Sequence, residues 1–426
     1  MASKIALSDK VLRTTDQPIT HYMRLALENP DLISLAPGLV DQESLPVAEV
    51  RAAFEDLFAS PAQARAALQY GTTQGSPRLR ELVMALIARL DNVPVSRLGT
   101  SVDDVVITTG AQQLLYMLGE VLLNPGDIVI TESPSYFVHH GVLASKGASV
   151  RTVPMDEDGL QVNALENVLD ELRQSGELER VKLIYTCDYF QNPSGRTMSL
   201  ERRTKLVELA REYSQRHRLL ILEDAAYREL GFSPRGLPSI KSFDEENRHV
   251  IYAGTFSKPC SPGMKTGYAL MPRDLVAPVI RLKGIHDFGS SNLNQCLLER
   301  LMASGAYDRH VLELKPIYRA KCESMLSALD EHFGDFPGAA WTKPQGGMFV
   351  WLSLPGLDTG PNGALLPAAQ KEGMLYVPGE FCHVPDESGD LARHEMRLSF
   401  GVESPQRVRE AIRRLRRAAE LALART

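Results

Sequence analysis

Short apolar runs alternate along the chain with segments of helical periodicity. The runs lie at residues 128–130, 181–185, 219–222, 250–253 and 268–271. Uninterrupted runs of this length are typical of strands that are buried on both faces of a sheet. Their alternation with helices predicts an α/β protein with a mostly parallel sheet. Because ligands of such sheets bind beyond the carboxyl ends of the strands, reactive residues are expected just after the runs.

Helix signals are clearest from Ser76 onwards. Ser76 can cap a helix, Pro77 suits the first helical position, and an apolar stripe continues to Leu90. A strand at residues 104–108, a turn at Gly110 and a second amphipathic helix come next. The sequence predicts helix, strand, glycine turn and helix in this order.

Beyond about residue 295 the pattern changes. A long helical stretch runs to Leu329, an alternating strand occupies residues 348–354, and a basic amphipathic helix at Pro405–Leu423 closes the chain. A smaller α+β domain is therefore predicted, since 426 residues exceed what one hydrophobic core usually serves. The expected division into an N-terminal arm with a helix, a large domain and a small domain is 1–40, 41–295 and 296–426.

Composition narrows the function to small-molecule chemistry. The chain carries 47 basic and 53 acidic residues, so it has no positive excess for nucleic acid or an anionic membrane. Its five cysteines are widely spaced and form no C-x-x-C pair, which indicates neither a disulfide framework nor a metal site. No apolar run reaches the roughly 20 residues of a spanning helix, and the N-terminus has no apolar signal core. We expect a soluble, cytoplasmic protein.

Two segments that follow predicted strands carry ionisable side chains. Asp224 and Tyr227 follow the run at 219–222, although a helix cap is an equally good interpretation of Asp224 taken alone. Lys258 stands among small hydroxyl residues after the run at 250–253, and Lys265 follows a Ser-Pro-Gly turn. Two lysines near an anion indicate phosphate capture and covalent imine chemistry at one site. A surface lysine is the ordinary alternative for Lys258.

Two further segments are turns. Gly110 opens a helix, and helix N-termini bind phosphate through free N–H groups and a partial positive charge. A plain connection is the commoner meaning of such a turn. Residues 191–195 read Gln-Asn-Pro-Ser-Gly after the run at 181–185, where an ordinary β-turn is the alternative.

Together these segments resemble the class I/II pyridoxal-phosphate aminotransferases. The family's motifs occur in order and at plausible spacing as LQYGTTQGSPRLRE, TTGAQQ, SPSYF, FQNPSGR, LEDAAYREL, GTFSK, KPQGGMFVW and MRLSF. The resemblance extends from about Ile33 to the C-terminus and is closest to the branch of 2-aminoadipate and kynurenine aminotransferases, which is related to MocR-type regulators. It implies the α/β architecture of fold-type I transferases, with a mostly parallel seven-stranded sheet in the large domain.

The resemblance also implies roles for individual residues. Lys258 would bind the aldehyde of pyridoxal 5'-phosphate and then shuttle a proton, while Asp224 would face the pyridine nitrogen. Asn192 and Tyr227 would contact the ring's 3-hydroxyl oxygen, and Tyr136 would stack on the ring. The expected phosphate ligands are Ala111, Gln112, Thr255, Ser257, Lys265 and, from a second subunit, Tyr70.

Dimerisation with shared active sites follows if Tyr70 has this role, and a packed core aromatic is the alternative. The expected substrate contacts are Arg397, which resembles the family's clamp for the α-carboxylate, Asn192 and Gly38. Two positions depart from the pattern: Lys265 stands where relatives usually have arginine, and Pro37 where they commonly have glycine.

These observations predict a homodimeric aminotransferase that moves an amino group from an L-amino acid to a 2-oxo acid by a ping-pong mechanism. A lyase or decarboxylase on the same fold is the main alternative, because it needs the same lysine, aspartate and tyrosine. A cofactor-sensing regulator is disfavoured, since only about thirty residues precede the resemblance and a DNA-binding domain typically requires at least ~50.

Overall fold

The computed structural model describes residues 5–214, 216–233, 236–385 and 391–424. Its strands are β1 (Ile33–Ser34), β2 (Val105–Thr108), β3 (Ile128–Ser133), β4 (Ser149–Asp156), β5 (Gly159–Leu160), β6 (Val181–Thr186), β7 (Leu220–Asp224), β8 (Val250–Thr255), β9 (Gly267–Leu270), β10 (Ala340–Trp341), β11 (Phe349–Ser353), β12 (Met374–Leu375), β13 (Val377–Pro378) and β14 (Glu395–Ser399). Its α-helices are α1 (Asp9–Arg13), α2 (Pro18–Glu28), α3 (Val47–Ala59), α4 (Pro61–Ala67), α5 (Pro77–Leu90), α6 (Gly110–Leu122), α7 (Phe137–Lys146), α8 (Val162–Gln174), α9 (Leu200–Glu212), α10 (Arg273–His286), α11 (Asn292–Ala303), α12 (Ala306–Phe333), α13 (Leu365–Lys371) and α14 (Pro405–Leu423).

The large sheet has the strand order β2-β9-β8-β7-β6-β3-β4-β5. The pairs from β8 through β7, β6 and β3 to β4 are parallel, whereas β9 runs antiparallel to both β2 and β8. This confirms the predicted α/β class and mostly parallel sheet. To the seven expected strands the structure adds β5, a two-residue strand antiparallel to β4.

Strand β4 has no apolar run in the sequence. Of its eight residues only Val153 is buried, because the strand lies near the edge of the sheet and much of it faces solvent. A pattern of continuous apolar residues reveals only strands that are covered on both faces, so this strand escapes it.

The predicted helix signals act as expected. The Ser76 hydroxyl accepts a hydrogen bond from the backbone N–H of Leu79, and Pro77 occupies the first position of α5. Helix α6 begins at Gly110 directly after β2, and α14 has the predicted bounds. The long helical stretch is two helices, α11 and α12, which are separated at Gly305 with φ +71°.

A second sheet has the order β10-β11-β14-β13, and all of its pairs are antiparallel. Its apolar core also includes residues of the N-terminal segment, among them Tyr22, Ile33 and Leu35. Strand β1 extends this association by pairing in parallel with β12. The Ser399 backbone N–H in β14 also donates to the Leu35 carbonyl, so the segment that leads to Gly38 is attached to the second sheet.

None of the helices within the described ranges combines the length and apolar character needed to cross a membrane.

Candidate active site

The predicted residues gather where parallel strands of the large sheet end. Asp224 is the last residue of β7, Lys258 lies three residues beyond β8, and Asn192 lies in the loop after β6. Since β6, β7 and β8 are neighbouring parallel strands, their carboxyl ends share one edge of the sheet. Arg397 of β14 reaches this edge from the second sheet, where it donates a hydrogen bond to the Asn192 side chain.

Lys258 presents an amine that deprotonates easily. Its Nζ donates a hydrogen bond of 2.6 Å to the carbonyl oxygen of Gly38. Burial, together with the positive charges of Arg397 and Lys265, lowers the pKa of Lys258 to about 8. A neutral amine is the nucleophilic form of lysine, so the environment suits covalent attachment to an aldehyde.

Asp224 is only 5% exposed. One carboxylate oxygen accepts a hydrogen bond of 3.0 Å from the Tyr185 hydroxyl, and the other accepts one of 3.3 Å from the backbone N–H of Ala226. Burial raises the pKa of Asp224 to about 6, although these hydrogen bonds act in the opposite direction. A buried carboxylate of this kind is suited to pair with a cationic group, such as a protonated ring nitrogen.

Two tyrosines contribute neutral donors and aromatic faces. Tyr227 is buried and lies edge-to-face with Phe349, with ring centroids 5.6 Å apart. Burial raises the pKa of Tyr227 well above its usual value, so its hydroxyl stays protonated at neutral pH. Tyr136 precedes α7, and its hydroxyl lies 3.5 Å from the side-chain oxygen of Gln112. This contact brings the predicted stacking residue to the start of α6.

Arg397 is a deeply buried guanidinium that is only 2% exposed. Its Nη1 donates to the Asn192 side-chain oxygen at 2.8 Å, and its Nη2 donates to the Ala36 carbonyl at 2.7 Å. The guanidinium carbon lies 4.4 Å from the centroid of the Phe349 ring. Within the described residues the buried Nε has no hydrogen-bond partner. A buried guanidinium with a free donor is suited to receive a carboxylate.

The start of α6 offers an anion-binding surface. Gly110 has φ +75°, and the first N–H groups of a helix have no partner within it. A Cβ on Gly267 would lie 2.7 Å from the Ala111 nitrogen, so glycine is needed there for β9 to pack against the helix start. The side chain of Thr255 donates to that of Ser257 at 3.0 Å.

Two predicted phosphate ligands, Lys265 and Tyr70, are exposed in the single chain. Lys265 is exposed and has φ +47°, and its charge acts on Lys258. Tyr70 is 82% exposed, and its ring lies edge-on to Phe288 at 5.6 Å. The alternative that Tyr70 is a packed core residue is therefore wrong for the single chain, and its role toward a second subunit stays a prediction.

These groups fit pyridoxal phosphate. The free N–H groups of α6 and the hydroxyls of Thr255 and Ser257 suit its phosphate, the Lys258 amine suits its aldehyde, and the Asp224 carboxylate suits its ring nitrogen. No cluster of three or more His, Cys, Asp or Glu side chains that could hold a metal ion is found among the residues that the structure describes.

Sequence reasoning missed Glu132, which holds the Asn192 loop. Its carboxyl accepts hydrogen bonds from the Thr186 hydroxyl, the Cys187 backbone and the Gln191 side chain at 2.6, 2.9 and 2.9 Å. Burial raises the pKa of Glu132 to about 7. The signal was present, because an acid stands two residues after the apolar run at 128–130, but no motif pointed to its partners.

Comparison with known proteins identifies the family. The family described as Aminotransferase class I and II matches residues 30–415. Aromatic-amino-acid aminotransferase 1 of Thermococcus litoralis is 35% identical over 411 residues, covering 96% of this chain and 92% of that protein. The 2-aminoadipate transaminase of Thermus thermophilus is 33% identical over 394 residues, covering 92% and 91%.

Solved structures agree. The kynurenine aminotransferase of Pyrococcus horikoshii, crystallised in complex with PMP, is 35% identical, has a TM-score of 0.87 and covers 98% of this chain and 97% of its own. A family match over most of the chain, joined to relatives of full length, leads to one conclusion: the chain belongs to the class I and II aminotransferases, pyridoxal-phosphate-dependent enzymes of fold type I.

Proposed function

We propose that this chain moves an amino group from an L-amino acid to a 2-oxo acid in two half-reactions, with Lys258 as the residue that holds the cofactor and transfers the proton. The observation that carries the proposal is the junction of a low-pKa lysine, a buried carboxylate and a buried arginine with a free donor at one edge of the sheet. Bound pyridoxal phosphate supplies an aldehyde for attachment and a ring that accepts the electron pair released at Cα.

Each neighbouring residue then has a limited task. Asp224 keeps a proton on the ring nitrogen, because an ionised carboxylate stabilises the adjacent positive charge. Asn192 and Tyr227 hydrogen-bond the ring's 3-hydroxyl oxygen, and Tyr136 covers the ring face. The amides of Ala111 and Gln112, the hydroxyls of Thr255 and Ser257, and Lys265 hold the phosphate.

Arg397 orients the substrate by binding its α-carboxylate. The side-chain amide of Asn192, already bonded to Arg397, lies beside that carboxylate, and Gly38 lies in the segment that covers it. The Lys258 amine would serve as the base that takes the proton from the substrate Cα and as the acid that gives it back. The Gly38 carbonyl, which accepts a bond from Nζ, is available to hold the amine in the meantime.

The preferred donors are neutral or aromatic amino acids. The arginine of α2, Arg24, is 66% exposed at its side chain and lies 3.9 Å from Glu28, so it does not offer a buried clamp for a second carboxylate. Tyr22 of the same helix is 3% exposed and packs against Phe381 at 6.3 Å. The aromatic-amino-acid relative supports the same preference.

The active unit is a homodimer with shared sites, and its location is the cytoplasm. Tyr70 contacts Phe288, which is 60% exposed, and Ile285, three residues before Phe288 in the chain, is 86% exposed. A patch of this kind is typical of a protein interface.

We also propose that the chain divides at about residues 40 and 295 into an N-terminal arm, a large domain and a small domain.

Half-reaction spectra test the reaction. Holoenzyme mixed with single amino acids should convert its cofactor to the amine form and release the matching 2-oxo acid, and a 2-oxo acid should reverse the change. Release of CO2 or of a side-chain fragment without that conversion would establish the lyase or decarboxylase alternative. Binding of cofactor without turnover of any donor would favour a sensing role.

A further inference from the structure

Tyr185 is a buried residue whose hydroxyl group is hydrogen-bonded to the carboxylate of Asp224. It lies in β6 opposite Leu222 of β7, and Asp224 lies two residues beyond Leu222. Residues two apart along a strand share a face, so the Tyr185 ring can reach forward to Asp224. Its hydroxyl lies 3.0 Å from the carboxylate oxygen, and the residue is 0% exposed.

Packing fixes this tyrosine in place. The ring of His139, in α7, lies 4.2 Å from the Tyr185 ring. Burial lowers the pKa of His139 to about 3, so this neighbour is uncharged at neutral pH. Tyr185 therefore has an aromatic contact for its ring and one hydrogen bond for its hydroxyl, and that bond ends on Asp224.

We propose that Tyr185 is a positioning residue that keeps Asp224 ionised and correctly oriented, so that the proton shared with the cofactor stays on the ring nitrogen. The inference rests on the proposed function, in which Asp224 faces that nitrogen. A phenol donates a stronger hydrogen bond to a charged carboxylate than to a neutral carboxyl group, so it stabilises the ionised form and counteracts the effect of burial.

The other groups around Asp224 do not replace this donor. The backbone N–H of Ala226 bonds the opposite oxygen, and the negative charge of Asp188 raises the pKa of Asp224. The titratable groups whose charges interact with Asp224 from the surrounding loops and strands are Tyr136, Tyr185, Cys187, Asp188 and Tyr227. Loss of the Tyr185 hydroxyl therefore raises the pKa of Asp224 and moves the shared proton from the ring toward the carboxylate.

The test is Tyr185→Phe, measured on holoenzyme loaded with pyridoxal phosphate that carries 15N in its ring. In the wild type the nitrogen signal should be that of a protonated ring at neutral pH. In Tyr185→Phe it should shift toward the unprotonated position, and kcat should fall about tenfold. Tyr189→Phe is the matched control, because Tyr189 is 2% exposed and its hydroxyl donates to the Leu237 carbonyl at the same 3.0 Å.

Each outcome separates the two hypotheses. Identical nitrogen signals in Tyr185→Phe and Tyr189→Phe would overturn the role of Tyr185. An unprotonated ring in the wild type would instead overturn the role of Asp224 in the proposed function. If Tyr185→Phe does not fold, proton NMR of the wild-type holoenzyme decides, with the protein uniformly labelled with 15N. The Tyr185 hydroxyl proton should give a slowly exchanging downfield signal that is not bonded to nitrogen and that is lost in Asp224→Ala. Absence of this signal from the wild type would refute the proposal.

Discussion

The inner and outer ends of the site are built differently. At the inner end Asp224 is 5% exposed, and both carboxylate oxygens are hydrogen-bonded within the chain. At the outer end Lys265 is exposed on a left-handed turn, and Tyr70, which the proposed function assigns to the site of a second subunit, is 82% exposed. Under the proposed function, one chain would supply all contacts to the cofactor ring, whereas a second chain would complete the contacts to the phosphate. Catalysis and cofactor retention would then depend on different residues and could be tested separately.

The largest effect is expected at the inner end. Asp224→Ala should lower kcat by about a thousandfold, because it removes a preorganised charge at the position where the reaction needs it. The affinity for pyridoxal phosphate should fall far less, since the phosphate contacts lie elsewhere. Steady-state kinetics and titration of the apoenzyme by fluorescence measure the two quantities. A near-native kcat would remove Asp224 from the mechanism. The buried end of the site would then have no greater effect on catalysis than the exposed end.

The next effect tests whether a partner completes the outer end. Tyr70→Ala should weaken cofactor binding by about tenfold to a hundredfold, the effect of losing a hydrogen bond to a charged group. A hybrid dimer of Tyr70→Ala and Lys258→Ala subunits should then contain one native site, made from Lys258 of one subunit and Tyr70 of the other. Co-expression with two affinity tags isolates the hybrid for assay at low cofactor concentration. Without recovery, Tyr70 acts within its own chain.

A smaller effect is expected in the pH dependence of cofactor capture by Lys258, whose amine is influenced by the charge of Lys265. Because the folded-state pKa of Lys258 is lowered from 10.5 to about 8, covalent capture of pyridoxal phosphate by apoenzyme should accelerate with pH and level off above about 8. In Lys265→Ala the midpoint should rise, since one repelling cation is gone. Stopped-flow absorbance at saturating cofactor measures both. A wild-type midpoint near 10 would contradict the electrostatic link.

The smallest effect concerns the departure from the family pattern. Lys265→Arg supplies a planar donor fork in place of a point charge. The charge at the phosphate is unchanged, so the Kd for cofactor should change by about threefold or less, and kcat should change less than Kd. Equilibrium titration of the apoenzyme decides. A large loss of affinity would show that the turn around φ +47° is shaped for lysine.

Sequence patterns located the inner end better than the outer end. The positions of Asp224 and Lys258 at the carboxyl edge of the sheet could be predicted because buried strands have a strong apolar signature; their catalytic roles stay predictions. Tyr185 was seen only as the end of a strand, since a hydrogen bond across two strands leaves no local signal. Strand β4 was missed because it is largely exposed, and Glu132 because its partners come from a different strand and its loop. Contacts between residues that are distant in sequence cannot be predicted from periodicity and short motifs.

The position of Arg397 has a consequence for how the amino-donor specificity of this enzyme can evolve. Arg397 lies in β14, an interior strand that pairs with Trp351 on one side and Val377 on the other. Under the proposed function, a stiff element would therefore bind the α-carboxylate that all α-amino acids share. The loop around Gly38 touches it through one carbonyl, that of Ala36. On that assignment, donor choice by the loop and carboxylate binding by β14 would be separable. Substitutions in the loop would then change the preferred donor without disturbing the contact that every donor shares.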